Sequence, residues 1–241
     1  MKCHICSNDE IFLKVNEAEG WYFCPFCNIF FLDPQPSDQE LDYIYHISYK
    51  RRLKRLKLLL SIMSRVRANH RYKLITSWGN VSLANTMAGT LLDVGYGDGS
   101  FMDVFKKHGW DVDGIEYSKD SPMDINKNYD LIIMSHSLEH MRNPVETLQG
   151  LKHFLRKNGK IYIEVPLTPP IRLKNMVVQE RNNYMLRTLN ATKPNGHLFN
   201  FNPTSLRIAI ENSGLRMTAL TIRVWFPLGR CYWYMSVMAS L

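Results

Sequence analysis

Hydrophobic positions change their period several times along this chain, and each change marks an element. From Thr90 onward, short apolar runs alternate with stretches whose apolar residues recur every three or four positions. That alternation predicts a doubly wound, mostly parallel α/β sheet of the Rossmann-like type. The strand-like runs are Leu91–Val94, Val112–Glu116, Leu131–Met134, Lys160–Val165, Arg216–Val224 and Tyr232–Val237. Helical spacing falls at Ser100–His108, Pro144–Leu155 and Pro203–Ser213.

The first ninety residues read differently. Ile11–Val15 and Trp21–Phe23 have the length and composition of short strands, and Phe30-Phe31-Leu32 ends a third apolar run. Asp33-Pro34-Gln35-Pro36 is a proline-stiffened linker, after which Ser37 caps a short helix containing Glu40 and Leu41. Leu53, Leu56, Leu60, Met63 and Val66 then recur at helical spacing and predict a basic amphipathic helix, or a broken pair, over Arg51–Trp78. Residues 1–36, 37–89 and 90–241 are thus expected to form a small appendage with its linker, a helical lid segment and the main domain.

Composition adds limits. The 241 residues are 45% hydrophobic and 22% charged, which fits a globular fold with a full core. No apolar run approaches the roughly 18 residues of a membrane span. Met1-Lys2 leads straight into Cys3 without the apolar core of a signal peptide, so a cytoplasmic location is expected. The net charge is +8, and 10 of the 30 basic residues lie within residues 50–73. Such a basic face attracts nucleic acid, anionic lipid or a phosphorylated small molecule, or is only a solvated helix face.

Four of the five cysteines form Cys3-x-x-Cys6 and Cys24-x-x-Cys27, with 17 residues between the pairs. Two such knuckles aim four thiolates at one point, the spacing of a zinc ribbon. Disulfides are the competing pairing, disfavoured in a reducing compartment. With all four ligands supplied by Cys3, Cys6, Cys24 and Cys27, no coordination site stays open, and the Zn²⁺ is expected to be structural. His4 reads as a bystander and Cys231 as a packed free thiol.

Candidate chemistry in the main domain starts at Leu91-Leu92-Asp93-Val94-Gly95-Tyr96-Gly97-Asp98-Gly99-Ser100, a buried strand running through a glycine turn into a helix. The glycines permit positive φ and close approach of a ligand to the backbone. The next strand ends in Glu116, 17 positions after Gly99, where this architecture places a ribose-binding carboxylate. Asp98 sits between the last two glycines at the helix N-terminus. A phosphate about 5 Å away would cost roughly 3 kcal/mol at an effective dielectric of 20. The turn therefore suits a cationic ligand better than a pyrophosphate, although Asp98 also serves as a helix cap.

Together, Asp93-x-Gly95-x-Gly97-x-Gly99 and Glu116 resemble the cofactor motif of class I S-adenosylmethionine-dependent methyltransferases. Tyr129-Asp130-Leu131-Ile132-Ile133-Met134-Ser135-His136-Ser137-Leu138-Glu139-His140 is similar to that family's fourth strand and the turn after it. Gly196-His197-Leu198-Phe199-Asn200-Phe201-Asn202-Pro203 resembles a segment of the zinc-ribbon subgroup acting on sugars and polyketide or polysaccharide precursors. That subgroup often carries the same ribbon and a linker like Phe31 to Pro36.

The resemblance implies an O- or C-methyltransferase acting on a sugar nucleotide or glycan precursor, a small and anionic or sugar-linked substrate. It implies S-adenosylmethionine held by Asp93, Gly95, Tyr96, Gly97, Asp98, Gly99, Glu116 and Ser135. A hydroxyl or acidic C–H acceptor needs a base. His197, His140 and Glu139 are the candidates, with His136 beside them, His197 foremost because its segment overhangs the ligand-binding ends of the strands. Tyr43, Tyr45 and Tyr49 are implied as a lid.

One part of the pattern is short. Only the 12 residues 117–128 separate Glu116 from Tyr129, about the minimum for a single parallel crossover, and Pro122 interrupts any helix there. The third strand and helix of the family are expected to be missing, and Asp124 has too little chain around it to rebuild that wall of the adenine pocket. This predicts weakened cofactor affinity. Two alternatives follow: an RNA methyltransferase, given ribbon and basic helix, or a catalytically impaired zinc-binding relative.

Overall fold

The computed structural model describes residues 1–9, 13–16, 20–41, 43, 57–78, 89–116, 126–167, 196–225 and 232–241. Cys231, Tyr45, Tyr49, Pro122 and Asp124 lie outside these, as do residues 117–125. The elements in chain order are β1 (Leu13–Asn16), β2 (Trp21–Cys24), β3 (Ile29–Leu32), α1 (Lys57–Trp78), β4 (Thr90–Val94), α2 (Ser100–Lys107) and β5 (Asp111–Ile115). There follow β6 (Tyr129–Ser135), a 3-10 turn at Leu138–His140, α3 (Pro144–Lys152), β7 (Leu155–Pro166), β8 (Phe199–Asn200), α4 (Pro203–Asn212), β9 (Arg216–Trp225) and β10 (Tyr232–Ser240).

Six strands form the central sheet in the order β5-β4-β6-β7-β10-β9. The β4 pairings to β5 and β6, and that of β6 to β7, are parallel, whereas β10 runs antiparallel to both neighbours. Consecutive strand residues face opposite sides of a sheet, and here that alternation divides the core in two. Leu91, Leu131, Ile133 and Tyr162 pack with α1 and α2. Leu92, Ile132, Ile161 and Ile163 pack on the other face with α3 and α4. Burial on both faces explains why these strands are nearly continuous apolar runs. Among the described residues β5 forms one edge of this sheet, with no further strand beyond it.

Of the four cysteines, Cys24 ends β2 in a second, antiparallel sheet of order β1-β2-β3-β8, and Cys6 and Cys27 lie in turns. The last strand of that sheet comes from the far end of the chain. Cys3, Ile5, Cys24, Cys27, Ile29 and Phe31 share one continuous apolar core with Leu198, Phe199, Phe201 and the α4 side of the main sheet. Polar contacts reinforce this docking: the Asn202 amide donates to the Asn28 carbonyl, and the Asn212 amide to that of Ile5 at 2.8 Å. Past the ribbon, Ser37 and Glu40 form the expected capping pair, each accepting a hydrogen bond from the other's backbone N–H. The linker then fastens on Arg142, whose guanidinium donates to the Pro36 carbonyl at 2.6 Å and Asp38 at 2.7 Å. None of the helices among the described residues is long and apolar enough to cross a membrane.

Candidate active site

The glycine turn after β4 adopts left-handed backbone at Gly95, Gly97 and Gly99, with φ of 80°, 55° and 76°. At Gly95 a side chain is excluded twice, because a Cβ there would also stand 2.8 Å from the Ser137 Cβ. That approach presses the turn after β6 directly onto the glycine loop. Glu116 reaches back over the turn and accepts a hydrogen bond from the Gly97 N–H at 2.7 Å. Tyr96 lies over β5, leaving no room for a side chain at Gly114. Asp98 accepts from the Ser100 N–H at 3.0 Å and so does cap α2.

The acids of this loop differ in charge state. Asp93 is 2% exposed at the end of β4, and its Oδ2 has no hydrogen-bond partner. Burial, with the nearby charges of Glu116 and Asp98, pushes its carboxyl up to about 7. Burial pushes on Asp98 too, but the Ser64 hydroxyl, the Ser100 contacts and the Arg67 charge outweigh it and hold that carboxyl below its ordinary range. Ser64 and Arg67 place α1 over the cofactor loop.

A second set of side chains gathers where β6 and β7 end. His136, at φ 57°, follows Ser135, and its N–H donates to the Glu164 carbonyl at 2.8 Å. Its Nε2 lies 3.2 Å from Arg71 and 3.4 Å from Arg67, with Glu164 Oε1 at 3.1 Å. Burial and the two arginines hold His136 well below its usual range, so the ring is neutral. Arg71 forms a buried ion pair with Glu164, its Nε 2.9 Å from Oε2, and Tyr162 donates to the same oxygen at 2.8 Å.

The 3-10 turn adds Glu139, 1% exposed, with neither carboxylate oxygen hydrogen-bonded. Its Oε1 stands 3.5 Å from His136 Nδ1, 3.9 Å from His140 Nε2 and 4.0 Å from His197 Nε2. Burial pushes the Glu139 carboxyl up to about 8 and lowers His140. His140 is oriented by a hydrogen bond from Nδ1 to the Gly196 carbonyl at 2.9 Å. His197 is delivered by the β8 segment, whose Leu198 N–H donates to the Glu139 carbonyl at 2.8 Å while its carbonyl accepts from Leu32 N–H. The ribbon sheet, β8 and the 3-10 turn are therefore joined edge to edge.

At the ribbon, the Sγ atoms of Cys3 and Cys27 are 3.6 Å apart, as are those of Cys6 and Cys24, and all four lie within 4.8 Å of one another. A disulfide would bring two sulfurs to about 2.05 Å. Four sulfurs about 2.3 Å from a zinc ion stand roughly 3.8 Å apart, which this cluster matches. The Cys27 thiol hydrogen-bonds Cys3 and lowers it to about 5, while Cys27 itself is raised. His4 stays outside the four, its Nδ1 on Asn143.

Each motif read from the sequence is thus one local assembly: Asp93 through Gly99 with Glu116, Glu139 with His140 and His197, and the four cysteines. Ser135, which pairs with Glu164, lies beside the second of these. Tyr43 is 69% exposed on a helical turn. Sequence reasoning missed Ser64, Arg67, Arg71 and Glu164. The signal lies in Arg67 and Arg71 at i and i+4, facing one way on a helix, which charge alone does not separate from a solvated basic face.

A glycine turn, a strand-end acid and a titratable cluster at the carboxyl ends of parallel strands define a nucleotide-cofactor α/β enzyme. The family model described as a methyltransferase domain matches residues 66–220, more than half of the chain, and the protein belongs to the S-adenosylmethionine-dependent methyltransferases. No curated protein matches the chain. Among solved structures, it is similar to the 1,6-didemethyltoxoflavin-N1-methyltransferase of Burkholderia thailandensis. The two are 12% identical, with a TM-score of 0.55 over 96% of this chain and 100% of that one. It is also similar to the magnesium protoporphyrin IX methyltransferase of Synechocystis PCC 6803, 14% identical, with a TM-score of 0.52 over 83% of this chain and 96% of that one. At these identities the likeness is one of fold.

Proposed function

We propose that the protein transfers a methyl group from S-adenosylmethionine to an oxygen or carbon of a sugar nucleotide or other glycan precursor. The observation carrying this reading is the contact of Ser137 with Gly95, which sets the Glu139 cluster against the cofactor turn. Asp93, Gly95, Tyr96, Gly97, Asp98, Gly99, Glu116 and Ser135 hold the cofactor in this reading. Glu116 keeps one oxygen on Gly97 and offers the other to a ribose hydroxyl. The buried Asp93 and the ionised Asp98 set a negative field that suits a sulfonium and an ammonium and opposes phosphate.

The methyl carbon is already activated by sulfur, so alignment of donor and acceptor supplies roughly 7 to 11 kcal/mol of the barrier reduction. What remains is the acceptor's proton. His197 takes it, its Nε2 4.0 Å from Glu139 Oε1. Excess positive charge from Arg67 beside this cluster favours an anionic acceptor such as a diphosphate-linked sugar. Cys3, Cys6, Cys24 and Cys27 hold structural Zn²⁺, which fixes the β3–β8 pairing and through it His197.

The test is methyl transfer from labelled S-adenosylmethionine to a panel of nucleotide sugars, with structured RNA in parallel. Transfer to a nucleotide sugar, reduced 10²- to 10⁴-fold in His197→Ala, supports the reading. Transfer to RNA alone, with steep salt dependence, overturns the substrate class. Binding of cofactor without transfer to any acceptor overturns catalysis.

A further inference from the structure

We infer that Glu139, His140 and His197 form a second metal site, binding a divalent first-row transition cation through one carboxylate oxygen and two imidazole nitrogens. Glu139 Oε1, His140 Nε2 and His197 Nε2 lie within 4.8 Å of one another. Oε1 stands 3.9 Å from His140 Nε2 and 4.0 Å from His197 Nε2. Ligands about 2.0 to 2.1 Å from a tetrahedral ion stand roughly 3.4 Å apart, so closing on an ion takes shifts of about half an ångström.

Three independent features point to a ligand rather than to a chance cluster. A carboxylate in a protein interior is normally hydrogen-bonded, yet neither oxygen of Glu139 is, although the residue is 1% exposed. The charged or titratable side chains facing its Oε1 among the described residues are three imidazoles, with no lysine or arginine among them. The Gly196 carbonyl can only accept, so His140 Nδ1 carries the ring proton and Nε2 presents its lone pair towards Oε1. That is how the backbone fixes the tautomer of a metal-binding histidine. His136 completes the surroundings, its Nδ1 3.5 Å from Oε1. It is the outer neighbour that a small shift would bring onto the ligating carboxylate.

Imidazole and carboxylate donors select Zn²⁺, Mn²⁺ or Fe²⁺ rather than Mg²⁺. Three protein ligands leave at least one position open, unlike the closed four-thiolate set at the ribbon. The inference rests on the reading that this cluster faces the methyl acceptor, and it changes one thing in it. With an ion bound, His197 is a ligand, and the acceptor hydroxyl coordinates the open position and releases its proton to water.

Cobalt titration of the purified full chain, with zinc already on the ribbon, tests the site without an activity measurement. One further Co²⁺ per chain is expected, with the visible absorption of a nitrogen and oxygen site and no thiolate-to-cobalt charge transfer. Glu139→Gln should weaken it at least about tenfold, and His136→Ala about 10- to 100-fold, while the zinc content of both variants stays at one. Circular dichroism of each variant, matched to the parent, removes misfolding as the cause. No second equivalent, or equal Co²⁺ binding by the parent and Glu139→Gln, overturns the site. Methyl transfer lost in His197→Ala without metal binding leaves the base reading standing and sinks only the metal site. Metal binding without transfer to any acceptor does the reverse.

Discussion

Asp93 and Gly95 show how much of the site depends on single atoms. Asp93 has its carboxyl raised to about 7 by burial and by neighbouring acids, against 3.8 in the unfolded chain. Because the folded state binds that proton more tightly, the stabilising contribution is complete below about pH 4 and is lost as pH rises towards 7. A cationic cofactor favours the ionised form, so binding should release a proton. Cofactor affinity is expected to rise about tenfold per pH unit below pH 7 and to level off above it, measured calorimetrically in buffers of different ionisation enthalpy. A pH-independent affinity would remove Asp93 from the site.

Gly95→Ala meets both a φ of 80° and the Ser137 Cβ at 2.8 Å. It should abolish detectable cofactor binding while leaving the zinc proposed at the four cysteines in place, checked by titration and metal analysis. Arg71 makes a different prediction. It is the buried partner of Glu164, itself 2% exposed. Truncation to Ala should cost about 3 to 5 kcal/mol by leaving that carboxylate unpaired, read as a fall in the urea midpoint. These residues show where sequence reading stops. Asp93, the glycines and Glu116 were legible because they are neighbours in one strand-turn-strand unit. The partnership of Arg71 with Glu164 spans 93 positions, and no local pattern encodes it.

Among the elements, periodicity located the strands of the main sheet to within a few residues, because burial on both faces makes them apolar runs. The largest difference is β7, which begins at Leu155, before a polar Arg156-Lys157-Asn158 stretch that reads as a turn. The helix starts were equally legible. At α4, Asn202 accepts from the Thr204 and Ser205 N–H groups, with Pro203 following it. Asn202→Ala should cost about 1 kcal/mol by thermal melting, with further loss because its amide also grips Asn28 in the ribbon. The two-residue β8 was not legible: Phe199-Asn200 is too short for any period and exists because β3 offers it an edge. That pairing carries His197 to Glu139.

At the scale of the molecule, the ribbon is built into the catalytic half rather than strung from it. Its cysteines and aromatic residues share a core with α4, and its linker holds Arg142, two residues past His140. With zinc held by the four cysteines as proposed, its removal by a strong chelator should lower the melting temperature of the whole chain in one transition and suppress methyl transfer with it. Two separate transitions would mean an independent appendage. The basic helix is likewise drawn inward, since Arg71 is buried on Glu164 and Arg67 lies over the Tyr234 ring. Two of the 10 basic residues within 50–73, Arg67 and Arg71, are thus engaged inside the fold.

In the proposed function the turn after β4 holds S-adenosylmethionine beside the Glu139 cluster. Calorimetric titration of the purified chain with S-adenosylmethionine and S-adenosylhomocysteine tests it directly. The account predicts one competitive site per chain, of reduced affinity because the segment after Glu116 is only 12 residues, and weakened at least about tenfold further in Glu116→Ala by loss of a charged hydrogen-bond acceptor. Absence of binding at millimolar cofactor, or equal binding by Glu116→Ala, would contradict it.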